Sequence, residues 1–160
     1  MKLDNEFFNS LLQEAETSTR KRAHYNLHKT FAEPVQRVCI ALKKGTYVRP
    51  HHHPQNNKWE LIMALQGSLN LVIFNDTGAI TEKLLLSPGN SISAMELPAN
   101  RWHTVYPETD ETVIIEIKEG PYTPTKENDF APWAPIEGDS NVADFLDWIA
   151  DAQLGEKYEN

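Results

Sequence analysis

The stretch GTYVRPHHHPQNNKWELIMALQG, residues 45–67, decides the fold and the chemistry of this 160-residue chain. Three consecutive histidines, His51, His52 and His53, precede Glu60 in an otherwise apolar segment, and a glycine stands at each end. Side chains alternate between the two faces of a strand, so His51 and His53 point one way and His52 the other. The stretch therefore predicts a chelating pair of imidazoles, with a carboxylate on the next strand.

Glu60 and His103 complete the predicted site. An isolated buried carboxylate is costly, so Glu60 in the apolar segment WELIMALQG indicates a metal ion or an ion pair. His103, in RWHTVYP, supplies a third imidazole. Three imidazoles and one carboxylate suit one divalent transition metal, namely Fe, Mn, Ni, Co or Zn. An octahedral ion would keep two positions open for chemistry, a tetrahedral zinc ion would keep none, and a metal that only ties strands together is the structural alternative.

The segments around this stretch are typical of short strands. From RKRAHYNLH onward, apolar runs alternate with turn sequences such as Asn75-Asp76-Thr77-Gly78 and Ser87-Pro88-Gly89-Asn90. The predicted strands after that first one are VQRVCIALKKG, GTYVRPHHH, KWELIMALQG, SLNLVIFN, ITEKLLL, NSISAMEL, RWHTVYP and TVIIEIKEG. Many short strands with no helix among them predict a sandwich or a closed barrel.

Other structure is predicted at the two ends of a single domain, residues 1–160. Within residues 1–20, Asp4 can cap a helix over residues 5–17, and the barrel follows over residues 24–120. The proline-rich segment 121–139 predicts an extended strap that lies on the barrel. A closing helix is predicted over residues 140–154, with Ser140 as its cap and Gly155 as its stop.

Composition limits the partners of the chain. The net charge of −8 argues against nucleic acid and anionic membranes, because both require a basic surface, and favours a small-molecule partner. No apolar run approaches the roughly 18 to 20 residues of a membrane span, and the acidic start does not resemble a signal peptide. The lone Cys39 agrees with a reducing cytoplasm, and we interpret it as a small buried strand residue. We therefore expect a cytoplasmic protein.

The spacing of the site residues resembles the two cupin motifs. The first motif is matched by Gly45, His51, His53, Glu60 and Gly67, and the second by Pro98, Asn100 and His103. The gap between His53 and Glu60 is longer than usual, Asn100 stands where glycine is usual, and Pro107 replaces a final asparagine. The resemblance implies an all-β fold, a cupin double-stranded β-helix or jelly-roll barrel, with flanking N- and C-terminal helices.

A narrower resemblance covers nearly the whole chain. The sequence is similar to the WbuC-type cupin metalloproteins, a bacterial group named for a member associated with O-antigen polysaccharide genes. The segments that carry this similarity are RAHYNLH, PVQRVCIAL, YVRPHHHPQNNKWE, EIKEGPY and FAPWAPIEG. The resemblance implies an intracellular setting, a bound metal and, because cupins commonly pair through edge strands, a homodimer. It leaves the reaction open.

Candidate catalytic residues are Lys118, Tyr122 and His28, which could move a proton or orient a substrate. Lys118 shares a strand face with Glu116, and that face looks either into a cavity or out to water. Tyr122 is either a proton donor or a packed tyrosine.

Candidate substrate-binding residues are Arg22 and Asn26, near the first strand, and Arg49, in the register of the metal ligands. We predict a metal-dependent enzyme, an isomerase, epimerase or oxygenase, that acts on a sugar, nucleotide sugar or related carboxylate. The alternative is a binding module that holds such a molecule without converting it.

Overall fold

The computed structural model describes residues 1–159 as two antiparallel β-sheets with two α-helices. The helices are α1 (Asn5–Thr17) and α2 (Val142–Asp151), and a short 3-10 turn covers Glu127–Asp129. The strands are β1 (Arg22–Asn26), β2 (Val35–Leu42), β3 (Glu60–Gln66), β4 (Leu69–Phe74), β5 (Ile80–Leu86), β6 (Ala94–Leu97), β7 (Trp102–Pro107) and β8 (Thr112–Glu119). One sheet has the order β1-β2-β8-β3-β6 and the other β5-β4-β7, which confirms the all-β prediction.

The main core lies between the two sheets. Every residue of β4 is buried, and its side chains alternate between two environments. Leu69, Leu71 and Ile73 face the larger sheet and join its core, whereas Val72 and Phe74 pack against α2 and the segment before it. Strand β4 is therefore covered on both faces, and this explains its continuous apolar sequence.

Helix α1 covers the outer face of the larger sheet. The Asp4 side chain accepts a hydrogen bond from the Phe7 amide at 3.2 Å, so the predicted cap is confirmed. The apolar face of the helix packs on β2 and β8, and Cys39 is buried beneath it. Burial raises the pKa of the Cys39 thiol to about 11, as expected for a packed strand residue.

The C-terminal helix is shorter than the sequence predicts. It begins at Val142 after Asn141, so Ser140 is not its cap, and it ends at Asp151, several residues before Gly155. The chain beyond the helix instead pairs with the edge of β5. The Gly155 amide donates to the Ile80 carbonyl at 2.8 Å, and the Ile80 amide donates to the Glu156 carbonyl at 3.0 Å. These bonds satisfy backbone groups that an exposed edge strand would leave open.

The histidine segment is extended but is not a regular strand, so the strand predicted over GTYVRPHHH is wrong as a continuous element. His51 forms isolated bridges with His103 and Phe130. The His51 amide donates to the His103 carbonyl at 3.0 Å, and the His103 amide donates to the His51 carbonyl at 2.9 Å. Pro50 and Pro54 flank the triplet and have no amide proton, so neither can donate to a longer ladder.

The proline-rich segment 121–139 runs along the barrel, largely without regular structure. Its Tyr122 amide donates to the Phe31 carbonyl at 2.7 Å, and its Ala131 amide donates to the Pro50 carbonyl at 2.8 Å. These bonds place the segment beside the mouth of the barrel, next to the histidines.

Gly67 and Gly89 provide a matched test of the tight turn that ends the histidine stretch. Both have positive φ, +68° and +72°, but a Cβ on Gly67 would lie 2.5 Å from the Glu111 carbonyl oxygen, whereas a Cβ on Gly89 meets nothing within 4 Å. We expect Gly89→Ala to lose about 1 kcal/mol through backbone strain alone. Gly67→Ala should lose about 3 kcal/mol, because the clash adds to the strain. Urea unfolding measures both, and equal losses would contradict this packing.

Candidate metal centre

Three imidazoles meet inside the barrel at one end of the sheets. His51 and His53 come from the extended segment after Pro50, and His103 comes from β7. One ring nitrogen from each lies within 4.8 Å of the others, so the three can hold a metal ion. The reciprocal backbone bonds between His51 and His103 fix this approach, and their ring centroids are 4.5 Å apart.

The hydrogen bonds of the rings orient them for coordination. His51 Nδ1 donates to the Arg49 carbonyl at 3.0 Å, and His103 Nδ1 donates to the Arg101 carbonyl at 2.9 Å. Fixing the proton on Nδ1 turns the Nε2 lone pair towards a metal, as in most histidine metal sites. His53 Nε2 is buried and has no hydrogen-bond partner within residues 1–159. This donor set fits a transition metal ion.

Glu60 is buried beside the imidazoles, with only 2% of its surface exposed. Its Oε1 lies 2.9 Å from His103 Nε2 and 3.5 Å from His53 Nε2. Burial alone would raise the pKa of Glu60, but the charge and hydrogen bond of His103 outweigh burial and hold that pKa well below its usual value. Burial lowers the pKa of His103, but the charge and hydrogen bond of Glu60 raise it by more. The pKa of His103 therefore lies above its usual value. Glu60 and His103 thus favour each other's charged form.

Burial and the neighbouring charge of His103 lower the pKa of His51 well below its usual value. His51 is therefore held as neutral imidazole, the form that binds metals.

His52 points away from the other imidazoles, as strand alternation predicts. Its ring stacks on Trp102 with centroids 3.8 Å apart, and its Nδ1 lies 2.8 Å from Asn100 Oδ1. Asn100 has φ +65°, a left-handed conformation in which asparagine is the best tolerated residue after glycine. This explains why asparagine can stand at the position where the cupin motif usually has glycine.

The imidazoles open into a cavity of about 460 Å³, within the usual range for small-ligand sites. Its apolar wall includes Ile40, Ile62, Val105 and Ile114. Polar residues from β1, β2, β8 and the turn after β1 also line the wall. They are Arg22, His24, Asn26, His28, Gln36, Glu116 and Lys118, with Arg49 and Tyr122 from the adjoining segments.

Lys118 lies in the cavity, which settles which way its strand face points. It pairs with Glu116, and it is the cross-strand neighbour of Glu60. Burial would lower the pKa of Lys118, but the charges of Glu116 and Glu60 raise it above its usual value. The side chain is a fixed cation one strand away from Glu60.

Tyr122 and His28 are the other two candidate catalytic residues. Tyr122 is 45% exposed, and its ring packs on Phe31 with centroids 4.9 Å apart. His28 is buried, and its Nδ1 contacts the Arg37 backbone. Both line the same cavity as Lys118.

The two predicted arginines line the cavity but already have partners in the protein. Arg22 donates to the Tyr47 carbonyl at 2.8 Å and to Glu137 at 2.9 Å. Arg49 donates to Glu127 at 2.8 Å. Asn26 lines the cavity and is exposed. The roles of these residues in substrate binding stay predictions.

Sequence reasoning missed Gln36, which the structure places in the cavity wall with 2% of its surface exposed. Gln36 lies on the same face of β2 as Val38, Ile40 and Leu42, which also line the cavity. This alternation could have placed Gln36 on the same face as these apolar residues. In a strand covered on both faces, however, alternation alone does not show which face lines the cavity.

The family profile described as Domain of unknown function (DUF6016) matches residues 3–86, more than half of the chain. No curated protein matches the sequence. Neither helix described within residues 1–159 is long and apolar enough to cross a membrane.

Solved structures share the fold at low identity. A protein from Shewanella oneidensis is 14% identical with a TM-score of 0.55, over 81% of this chain and 84% of that one. The salicylate 1,2-dioxygenase of Pseudoaminobacter salicylatoxidans is 13% identical with a TM-score of 0.54, over 74% of this chain and 33% of that one. A cupin superfamily protein from Desulfitobacterium hafniense DCB-2 is 16% identical with a TM-score of 0.48, over 61% of this chain and 76% of that one. The fold is the cupin double-stranded β-helix, as predicted.

His53 and its neighbour His52 offer a matched test of the metal centre. His53→Gln removes an unpartnered nitrogen that faces the other imidazoles, whereas His52→Gln changes a ring stacked on Trp102. We expect His53→Gln to weaken the affinity for Zn²⁺ or Co²⁺ at least tenfold, and His52→Gln to leave it within about twofold. Elemental analysis and calorimetric titration measure this, and equal behaviour of the two variants would exclude His53 as a ligand.

Proposed function

The chain belongs to the DUF6016 family, and on that premise we propose that it is a metal-dependent cupin enzyme acting on a small polar substrate. The substrate class is a sugar, a nucleotide sugar or a related carboxylate. The observation that carries the proposal is the three-imidazole cluster, which can hold a metal ion and opens into a cavity of about 460 Å³. A metal buried away from any cavity would have suited a purely structural role instead.

The ligands in this proposal are His51, His53, Glu60 and His103. They would hold one divalent transition metal, Fe, Mn, Ni, Co or Zn, and the bound ion would polarise a carbonyl or hydroxyl oxygen of the substrate. The buried position of Glu60 beside His103 supports its role, because a bound cation would compensate the charge of the carboxylate.

Lys118, Tyr122 and His28 are the groups proposed to act on the substrate. Lys118 is an ammonium held by Glu116 beside Glu60, so it suits the stabilisation of negative charge on a substrate oxygen. Tyr122 has a hydroxyl at the cavity mouth that can donate a proton, and His28 orients the substrate deeper inside.

Arg22, Asn26 and Arg49 are proposed to bind the polar groups of the substrate around the wall. Asn26 is the most accessible of the three, since both arginines contact carboxylates of the proline-rich segment. An anionic substrate would bind an arginine by competing with Glu137 or Glu127.

The sequence resemblance supports a narrower proposal about the family, the location and the assembly of the protein. We propose that the chain is a WbuC-type cupin that works in the cytoplasm as a homodimer, in connection with surface polysaccharide synthesis. The motifs RAHYNLH and FAPWAPIEG support this assignment, and they lie in the wall of the cavity and in the segment beside it.

A binding module is the second candidate. The partnered arginines and the 45% exposure of Tyr122 favour it, because they leave few enclosed groups free for acid-base chemistry. Such a protein would use the same metal centre to hold a ligand without converting it.

One experiment separates the two functions. Protein loaded with each candidate metal is incubated with sugar phosphates, nucleotide sugars and sugar acids, with and without oxygen. An enzyme gives turnover that depends on the metal, whereas a binding module gives only thermal stabilisation by a ligand. Oxygen uptake with iron would select oxygenation over isomerisation or epimerisation.

Lys118→Met tests the proposed electrostatic role. Loss of the ammonium beside Glu60 should lower kcat about 100-fold or more, while the affinity for metal stays within a few-fold. Lys83→Met is the control, because Lys83 contacts the C-terminal end of α2, outside the cavity. Unchanged turnover in a Lys118→Met protein that still folds and binds metal would refute the role of Lys118.

A further inference from the structure

The charges of the side chains that line the cavity do not cancel. Within residues 1–159, four cations and two acids line it, although the whole chain carries a net charge of −8. The cations are Arg20, Arg22, Arg49 and Lys118, and the acids are Glu116 and Glu137. A cleft lined by an excess of one charge concentrates ligands of the opposite charge, so the cavity favours an anion.

Both acids of the wall already bind a cation. The Glu137 carboxylate accepts from Arg20 Nε at 2.7 Å and from Arg22 Nη2 at 2.9 Å. The Glu116 carboxylate pairs with Lys118. Neither carboxylate is paired with the remaining arginine of the wall.

Arg49, the remaining arginine, has one donor without a partner. Its side chain is 9% exposed, and its Nη2 donates to the Ala131 carbonyl at 3.2 Å. Its Nη1 donates to Glu127 at 2.8 Å, but that carboxylate is 73% exposed, so water screens the pair. The Nε atom is buried and has no acceptor in the described part of the chain. Because a guanidinium keeps all its protons, Nε is always a donor, and a buried donor without a partner is costly.

His28 Nε2 and Gln36 Oε1 are also buried in the wall without a partner among residues 1–159. His28 Nδ1 lies 2.9 Å from the Arg37 carbonyl and 3.1 Å from the Arg37 amide, so either ring nitrogen can carry the proton. Gln36 Oε1 is an acceptor, because the amide nitrogen of the same side chain donates to the Glu33 carbonyl at 2.8 Å. Water or a neutral polar group can meet both atoms, so they do not select a ligand by its charge.

Arg49 lies beside the imidazoles. It stands two residues before His51, and His51 Nδ1 donates to the Arg49 carbonyl at 3.0 Å. Both residues line the cavity, as does His53. The guanidinium lies over the Phe130 ring, 5.1 Å from the ring centre, and this contact limits its movement. Two residues of extended chain span about 7 Å, so one small molecule can reach both Arg49 and the metal centre.

We infer that Arg49 selects an anionic substrate, with its Nε–H donating to a carboxylate or phosphate oxygen of a molecule that also binds the metal ion. The inference rests on the proposed function and narrows its substrate class to sugars that carry a carboxylate or a phosphate group. A charge-assisted hydrogen bond is about twice as strong as one between neutral groups, so a neutral sugar gains less from the same contact.

Ligands with one sugar skeleton and different charges test this inference. Glucose, glucuronate and glucose 6-phosphate are titrated calorimetrically into the Zn²⁺-loaded protein. We expect at least one of the anions to bind about tenfold more tightly than glucose, and the tighter of the two identifies carboxylate or phosphate as the preferred group. Binding of glucose as tightly as both anions would overturn the inference, as would the absence of binding by all three.

Arg49→Met separates the effect of Arg49 from that of the metal ion, which also attracts anions. The variant should lose the preference for the anion and bind Zn²⁺ within a few-fold of the wild type. Arg101→Met is the matched control. The Arg101 carbonyl likewise accepts from Nδ1 of a histidine two residues later, His103, but the Arg101 side chain is exposed and does not line the cavity. This control should keep the preference. A preference that survives in a folded Arg49→Met protein would overturn the inference, as would an equal loss in both variants.

Arg49→Gln takes the place of Arg49→Met if the methionine variant does not fold, because a glutamine amide can still donate to the Ala131 carbonyl. Failure of the proposed function is seen separately, as absent turnover of the two anions by protein that still binds them through Arg49.

Discussion

The buried carboxylate of Glu60 is the constraint on which the rest of the site depends. A carboxylate with 2% of its surface exposed requires a compensating partner, and His103 Nε2 lies 2.9 Å from it. The same cluster contains His51, held as neutral imidazole, and His53, with an unpartnered nitrogen. A divalent cation would compensate the carboxylate and give each imidazole a partner at once. The hydrogen bonds within the protein therefore satisfy only some of the groups that a metal ion would satisfy.

The backbone makes this arrangement possible through two kinds of contact. The reciprocal hydrogen bonds between His51 and His103 fix an extended segment, limited by Pro50 and Pro54, against β7. The register of the larger sheet then sets Glu60, Lys118 and Gln36 side by side. Polarity changes along this row from carboxylate to ammonium to amide oxygen. A substrate lying along the row would meet a different group at each strand.

Local patterns predicted much of this structure. The Asp4 cap, the strand sequences and the outward position of His52 follow from capping chemistry and alternation, so they were accessible from the sequence. The grouping of His51, His53 and His103 needed the cupin resemblance as well, because neighbours across sheets are not encoded in local periodicity. The start of α2, the pairing of Gly155 with Ile80 and the position of Gln36 were not predicted. Each depends on long-range packing, which decides what a locally ambiguous segment does.

The central claim is that the imidazole cluster and Glu60 bind a metal ion together. X-ray absorption spectroscopy of the Zn²⁺-loaded protein tests it most directly, since the ligand atoms around the ion are read from the spectrum. The account predicts one ion per chain, with three imidazole nitrogens at about 2.0 to 2.1 Å and a carboxylate oxygen at about 2.0 to 2.2 Å. An ion surrounded by water oxygens, with fewer than three imidazoles, would contradict it.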